Sequence, residues 1–152
     1  MRLEPLRRRD IARCVEIEQI LFPGDDPWNS RAFHSELDIG HFYLAARPDE
    51  GDELLGYAGL AVVGRRRGEY EATVHTIGVA PEYQGQGIGK ALLRALLERA
   101  DADPAVRAVR ASIRPDNFGS RATIAGFGFK KIGEQWDPED GLEDVFLRPA
   151  GG

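Results

Sequence analysis

The stretch from Val74 to Leu97 constrains this chain most. Val74 to Val79 alternates with β-branched residues, as a strand does. Pro81 stops that pattern, and Gly85, Gly87 and Gly89 follow at every second position. Ile88, Leu92, Leu93, Leu96 and Leu97 then recur at helical spacing. The segment therefore reads as strand, glycine turn, helix. A turn of this kind gathers unpaired backbone N–H groups at the positive end of a helix dipole, which makes a phosphate cradle. Glycine lets a pyrophosphate approach the backbone with no Cβ in the way. The cradle is not a P-loop, because no Gly-Lys-Ser/Thr closes it. The spacing G-x-G-x-G also departs from the dinucleotide fingerprint, and no acidic residue about 20 positions on ends a second strand.

The chain has 152 residues and reads as one domain spanning 1–149, long enough for a substantial core. No apolar run approaches the roughly 20 residues of a membrane span. The start, Met1-Arg2-Leu3-Glu4-Pro5, has no apolar signal region, so a cytoplasmic location is the expectation. Cys14 is the single cysteine, which excludes an internal disulfide and a multi-cysteine zinc site. It lies among Ile11, Val15 and Ile17 and reads as a small buried hydrophobe. A net charge of −5 and a pI near 5.3 argue against general nucleic-acid binding. Arg7-Arg8-Arg9 and Arg65-Arg66-Arg67 run against that balance. They read as a solvated helix start and a solvated hairpin tip, the alternative being contact with an anionic partner.

In chain order the pattern predicts a short strand over 2–6 and a helix from about Asp10 to Phe22. A turn follows at 23–27, then a short helix capped by Asn29 or Ser30. Strands are expected at 42–47, 54–64 and 70–79, with turns at 49–52 and 65–68. After the cradle helix come a strand at 106–114, a short helix at 117–126, and strands at 130–136 and 143–148.

The run Tyr83-Gln84-Gly85-Gln86-Gly87-Ile88-Gly89, preceded by Ile77-Gly78-Val79, resembles the acetyl-CoA motif Q/R-x-x-G-x-G/A of the GNAT N-acetyltransferase superfamily. The element order is similar as well. That resemblance implies an α/β (α+β) GNAT fold: a mixed, mostly antiparallel central sheet of six or seven strands with about four helices. Splayed central strands would bind acetyl-CoA, with no metal. The cofactor contacts it implies are Ile77, Gly78, Val79, Gln84, Gly85, Gln86, Gly87, Ile88, Gly89 and Lys90, with Asn117 and Ser120 on the later helix. Lys90 would neutralise phosphate, Arg94 and Arg121 could reach the 3′-phosphate, and the Val79 N–H would meet the developing oxyanion. A narrower resemblance is to the RimI branch, protein N-terminal α-acetyltransferases. It is carried by Phe22-x-x-Asp25-Asp26-Pro27-Trp28, Phe33-x-x-Glu36-Leu37, Gly56-Tyr57-Ala58-Gly59, His75 to Pro81 and the closing Asp140 to Asp144. This branch implies a glutamate base and a tyrosine acid; the matching positions here are Ser112 and Ile124.

Transfer of an acetyl group to an amine needs a way to remove the ammonium proton. An α-amine, with a pKa of about 8, asks less of a base than a lysine of about 10.4. Candidate bases are His75, which by alternation shares a face with Ile77 and Val79, then Glu71, and Ser112 holding a water. Glu69 and Tyr70 are weaker candidates. Asp25 and Asp26 could draw an ammonium or simply form a turn, Trp28 reads as a core anchor, and His34 and His41 read as surface or packing residues. The favoured acceptor is the N-terminal α-amine of a protein, attacked directly in a ternary complex. A small-molecule amine is the alternative, and an acyl-CoA-binding module with little turnover is a third reading. Monomer and homodimer both stay open, and no membrane partner is expected.

Overall fold

The computed structural model describes residues 1–23, 28–62, 70–113, 115, 117–138 and 141–151, the side chain of Phe118 aside. Asp25, Asp26, Arg65 to Arg67, Glu69 and Asp140 lie outside the described residues. Seven strands form one sheet in the order β1-β2-β3-β4-β5-β7-β6. They are β1 (Arg2–Pro5), β2 (Phe42–Arg47), β3 (Gly56–Ala61), β4 (Tyr70–Val79), β5 (Val106–Ile113), β6 (Lys130–Asp137) and β7 (Gly141–Pro149). The helices are α1 (Ile11–Leu21), α2 (Ser30–Ile39), α3 (Ile88–Asp101) and α4 (Phe118–Ile124). No helix among the described residues is long and apolar enough to cross a membrane.

Alternation along the strands divides the core between the two sheet faces. Leu44 and Ala46 of β2 join Leu92, Leu93, Leu96 and Ile124, so α3 and α4 cover one face. Tyr43 and Ala45 of the same strand join Ile11, Cys14, Ile17 and Phe33, so α1 and α2 cover the other. Among the described residues only the β4–β5 pair is parallel; its pairing starts at Tyr70 and ends at Thr73 opposite Arg110. Past that point β4 stays paired with β3 as far as Val79, while β5 stays paired with β7 as far as Ile113. The two central strands therefore part into a wedge.

A second irregularity sits on the same strand. Gly59 pairs with Thr76 and Leu60 with Val74, which leaves His75 as an extra residue in β4. Such a bulge resets the alternation. Ile77 and Val79 pack with the α3 face, whereas His75 meets Glu36 of α2 and the rings of Trp28 and His41. The expectation that His75 shares a face with Ile77 and Val79 is thus corrected: the inserted residue turns it to the α1/α2 side.

Candidate active site

The wedge opens into a cleft of about 720 Å³ that runs from one sheet face to the other. Its α3 end is lined by Ile77, Val79, Tyr83, Gln84, Gly85, Gly87, Ile88, Gly89 and Lys90, together with Asn117, Ser120 and Thr123. Gly85 and Gly87 have φ near +80°, the left-handed region that side chains disfavour. A Cβ at either would meet nothing within 4 Å, so the open ground beside them is room for a ligand. No side chain caps α3, whose first N–H groups lack intrahelical partners. Gln84 Nε2 donates to the Val79 carbonyl at 3.1 Å and ties the turn to β4. These features fit the pyrophosphate of a nucleotide cofactor.

Two expected contacts, Gly78 and Gln86, are not on the cleft wall. Gly78 is absent from the cleft wall; a Cβ there would stand 2.3 Å from the Tyr57 hydroxyl, so its lack of a side chain serves that ring. Gln86 is exposed and also off the wall. Asn117 lines the cleft, but its side chain accepts from the Ser120 N–H and so caps α4. Arg94 lies over Phe127, and Arg121 pairs with Asp144 at 2.7 Å, so both are engaged within the fold.

The α1/α2 end is lined by Glu18, Leu21, Phe22, Trp28, His75 and Thr76. His75 Nδ1 bonds Glu36 Oε1. A carboxylate only accepts, so Nδ1 carries the proton and Nε2 is the basic nitrogen of the neutral ring. Tyr43 donates to the same carboxylate oxygen at 2.8 Å. His41 packs in this cluster, its ring 5.5 Å from that of His75. Burial pushes the His41 pKa down, against the pull of Glu36. The donor atoms of Glu36, His41 and His75 lie within 4.8 Å of one another, the spread of a metal site. However, His41 Nδ1 accepts from the Val62 N–H, which puts the ring proton on Nε2, the nitrogen nearest Glu36. That tautomer offers a metal no lone pair there.

Glu18 is one site residue that the sequence reading missed. It is 2% exposed and accepts from the Tyr57 hydroxyl, from Thr76 Oγ1 at 3.1 Å and from the Trp28 N–H at 3.3 Å. Burial raises its pKa, and those hydrogen bonds only partly offset the rise. A signal was present: Glu18 follows Ile11 and Cys14 by seven and four positions, so a carboxylate stands on the apolar stripe of α1.

Across the wedge, Ser112 is on the wall, on the face opposite Ile113. Gln135 Nε2 donates to Ser112 Oγ and to Glu143 Oε1, both at 3.1 Å. Glu143 also lines the cleft. Glu71 does not. Arg107 at 2.8 Å and Arg110 at 2.9 Å hold it, and although burial pushes its pKa up, their hydrogen bonds take it below the ordinary value. The structure thus brings His75 and Ser112 to the cleft and leaves Glu71 on the flank of β5.

Residues 11–129 match the model of the acetyltransferase (GNAT) family. The chain belongs to that family. Its relatives include N-alpha-acetyltransferase RimI of Mycobacterium tuberculosis, 45% identical over 84% of this chain and 77% of the relative. The [ribosomal protein bS18]-alanine N-acetyltransferase of Escherichia coli K12 is 30% identical over 95% of this chain and 93% of its own length. The E. coli ribosomal-protein-S18-alanine N-acetyltransferase crystal structure superposes with a TM-score of 0.81 at 21% identity, covering 99% of this chain and 94% of that one. Arabidopsis thaliana NAA60, solved in complex with acetyl-CoA, superposes with a TM-score of 0.80 at 19% identity, over 97% of this chain and 98% of that one. The protein is therefore an acetyl-CoA-dependent N-acetyltransferase.

Proposed function

We propose that the protein acetylates the N-terminal α-amine of a protein, by direct attack on acetyl-CoA held in the same cleft. The observation that carries this reading is the similarity, over most of the chain, to an N-alpha-acetyltransferase. The shape of the cleft supports it. The donor cradle and the acceptor end lie on opposite sheet faces and meet in the wedge, so neither substrate must leave before the other enters.

Acetyl-CoA supplies the thioester when bound. Backbone N–H groups from Gly85 to Lys90 would hold its pyrophosphate, and Lys90 would add a positive charge. At the acceptor end His75 takes a proton from the incoming ammonium, with Glu36 fixing the ring. The amine lone pair closes the C–N bond as the C–S bond opens, and the nitrogen's second proton goes to the departing thiolate. Ser112 and Gln135 border the route as hydrogen-bonding groups.

The test is CoA release with short peptides of varied first residue, set against a panel of free amines. Peptide-dependent release supports the reading, and release with small amines alone replaces it by small-molecule acetylation. CoA binding without release under any acceptor points to a binding module. His75→Ala should lower kcat by about 10²- to 10⁴-fold at pH 7, the usual worth of a general base. The deficit should shrink at a pH above the amine's pKa. Rates within twofold of wild type from pH 6 to pH 9 would remove His75 from this role.

A further inference from the structure

A histidine in this cleft is useful only on the face that the acceptor reaches, and the β4 bulge decides that face. In a regular strand His75 would share a face with Ile77 and Val79, because alternate residues always do. The bulge instead turns His75 and Thr76, neighbours in the chain, to the α1/α2 side together. Each then meets a carboxyl group from a different helix. His75 Nδ1 bonds Glu36 of α2, and Thr76 Oγ1 donates to Glu18 of α1 at 3.1 Å. A regular strand would put those two side chains on opposite faces, so the two bonds coexist only in the bulged form.

The two arms are built alike. Tyr43 of β2 donates to Glu36, and Tyr57 of β3 donates to Glu18. Each ring lies over the glycine paired with it on the next strand, Tyr43 over Gly59 and Tyr57 over Gly78. A Cβ at Gly59 would stand 2.1 Å from the Tyr43 ring, so that glycine too makes room for a tyrosine. The Glu36 arm grips the histidine itself. The Glu18 arm grips its surroundings. It holds the side chain of the next residue and the N–H of Trp28, whose ring lies 5.9 Å from that of His75. Glu18 is 2% exposed and Thr76 9%, so water competes little for the bond between them.

We infer that Glu18 is a positioning residue that holds the β4 bulge through Thr76 and so keeps His75 on the acceptor side of the wedge. One strand then serves both substrates. Ile77 and Val79 stay on the α3 side beside the glycine turn, while His75 faces the incoming amine. The catalytic consequence rests on the reading of His75 as the base; the geometric one does not.

The test uses Thr76→Val, which keeps the shape but removes the hydroxyl, beside Glu18→Gln, whose amide NH2 must face at least one of the donors now bonded to the carboxyl group. In ring 1H–15N spectra the His75 Nδ1 proton should exchange with water about tenfold faster in both variants than in wild type. The kcat for whichever amine is turned over should fall about three- to tenfold, the worth of one hydrogen bond, with the KM for acetyl-CoA within about twofold. Thr76→Ser, which keeps the hydroxyl, should restore both readings. In a His75→Ala background Thr76→Val should cost nothing further, since a positioning residue acts only through the residue it positions. Unchanged His75 ring signals in both variants would overturn the assignment. So would an equal loss of kcat with and without His75, which marks a merely structural contact. If His75→Ala itself keeps the wild-type rate, the base reading falls, and the ring spectra alone decide whether Glu18 holds the bulge.

Discussion

Glu18 shows how one side chain can work against the fold that carries it. Burial raises its carboxyl above the ordinary 4.5. A carboxyl raised in this way supports the folded state while it is protonated. That contribution is fully present below the unfolded value and is lost as pH rises through the folded one. Glu18→Gln is neutral at every pH and escapes the loss. The melting temperature of the variant relative to wild type should therefore climb as pH increases from about 4.5 toward 7.5. A difference that stays constant across that range would mean that Glu18 is not desolvated as the structure has it. His75 teaches a separate lesson at the same scale. Its residue type was legible as a proton acceptor, but its face was not. One inserted residue in β4 inverts the alternation, and nothing local in Val74-His75-Thr76 announces an insertion that is defined by pairing with Gly59 and Leu60.

Among the elements, the strand–turn–α3 unit was the most legible, because glycine spacing and helical periodicity are local properties. Its helix starts at Ile88, directly after the last left-handed glycine of the turn. The role of Gly78 was not legible. It is dictated by the Tyr57 ring, more than twenty positions away in sequence and brought alongside by strand pairing. The placement of Glu71 was hidden in the same manner, since only the parallel pairing of β4 with β5 brings Arg107 and Arg110 to it. The turn itself gives a prediction. Gly87→Ala has room for its methyl but must hold a φ near +81°. That strain costs about 1–2 kcal/mol. It can be relieved only by reshaping the turn that aims the N–H groups. The variant should melt lower and show a higher KM for acetyl-CoA, with the KM for the acceptor little changed. A rise confined to the acceptor KM would contradict the cradle.

For the molecule as a whole, the wedge is a gap in the middle of a sheet, a place where strands normally satisfy each other's backbone groups. Beyond Thr73 the facing edges of β4 and β5 have no ladder pairs with each other, while their outer edges stay tied to β3 and β7. Two half-sheets, β1 to β4 and β5 to β6, are thus joined by a short parallel seam with α3 lying across it. A ligand with its own amide groups, laid between the strands, supplies partners to both edges and connects the halves. Acetyl-CoA should therefore stabilise the fold by about 2.7 kcal/mol at a hundred times its Kd, as any ligand of the folded state alone must. What distinguishes a bridging ligand is where the protection falls. Amide hydrogen exchange should slow in β4 from Ile77 to Val79 and in β5 from Ala111 to Ile113, together with the α3 N-terminus. In Gly87→Ala the slowing should need more acetyl-CoA but appear at the same amides. Protection limited to Gly85–Lys90, with both strand edges exchanging as before, would mean that the ligand is held by its phosphates alone and that the wedge is not its path to the acceptor.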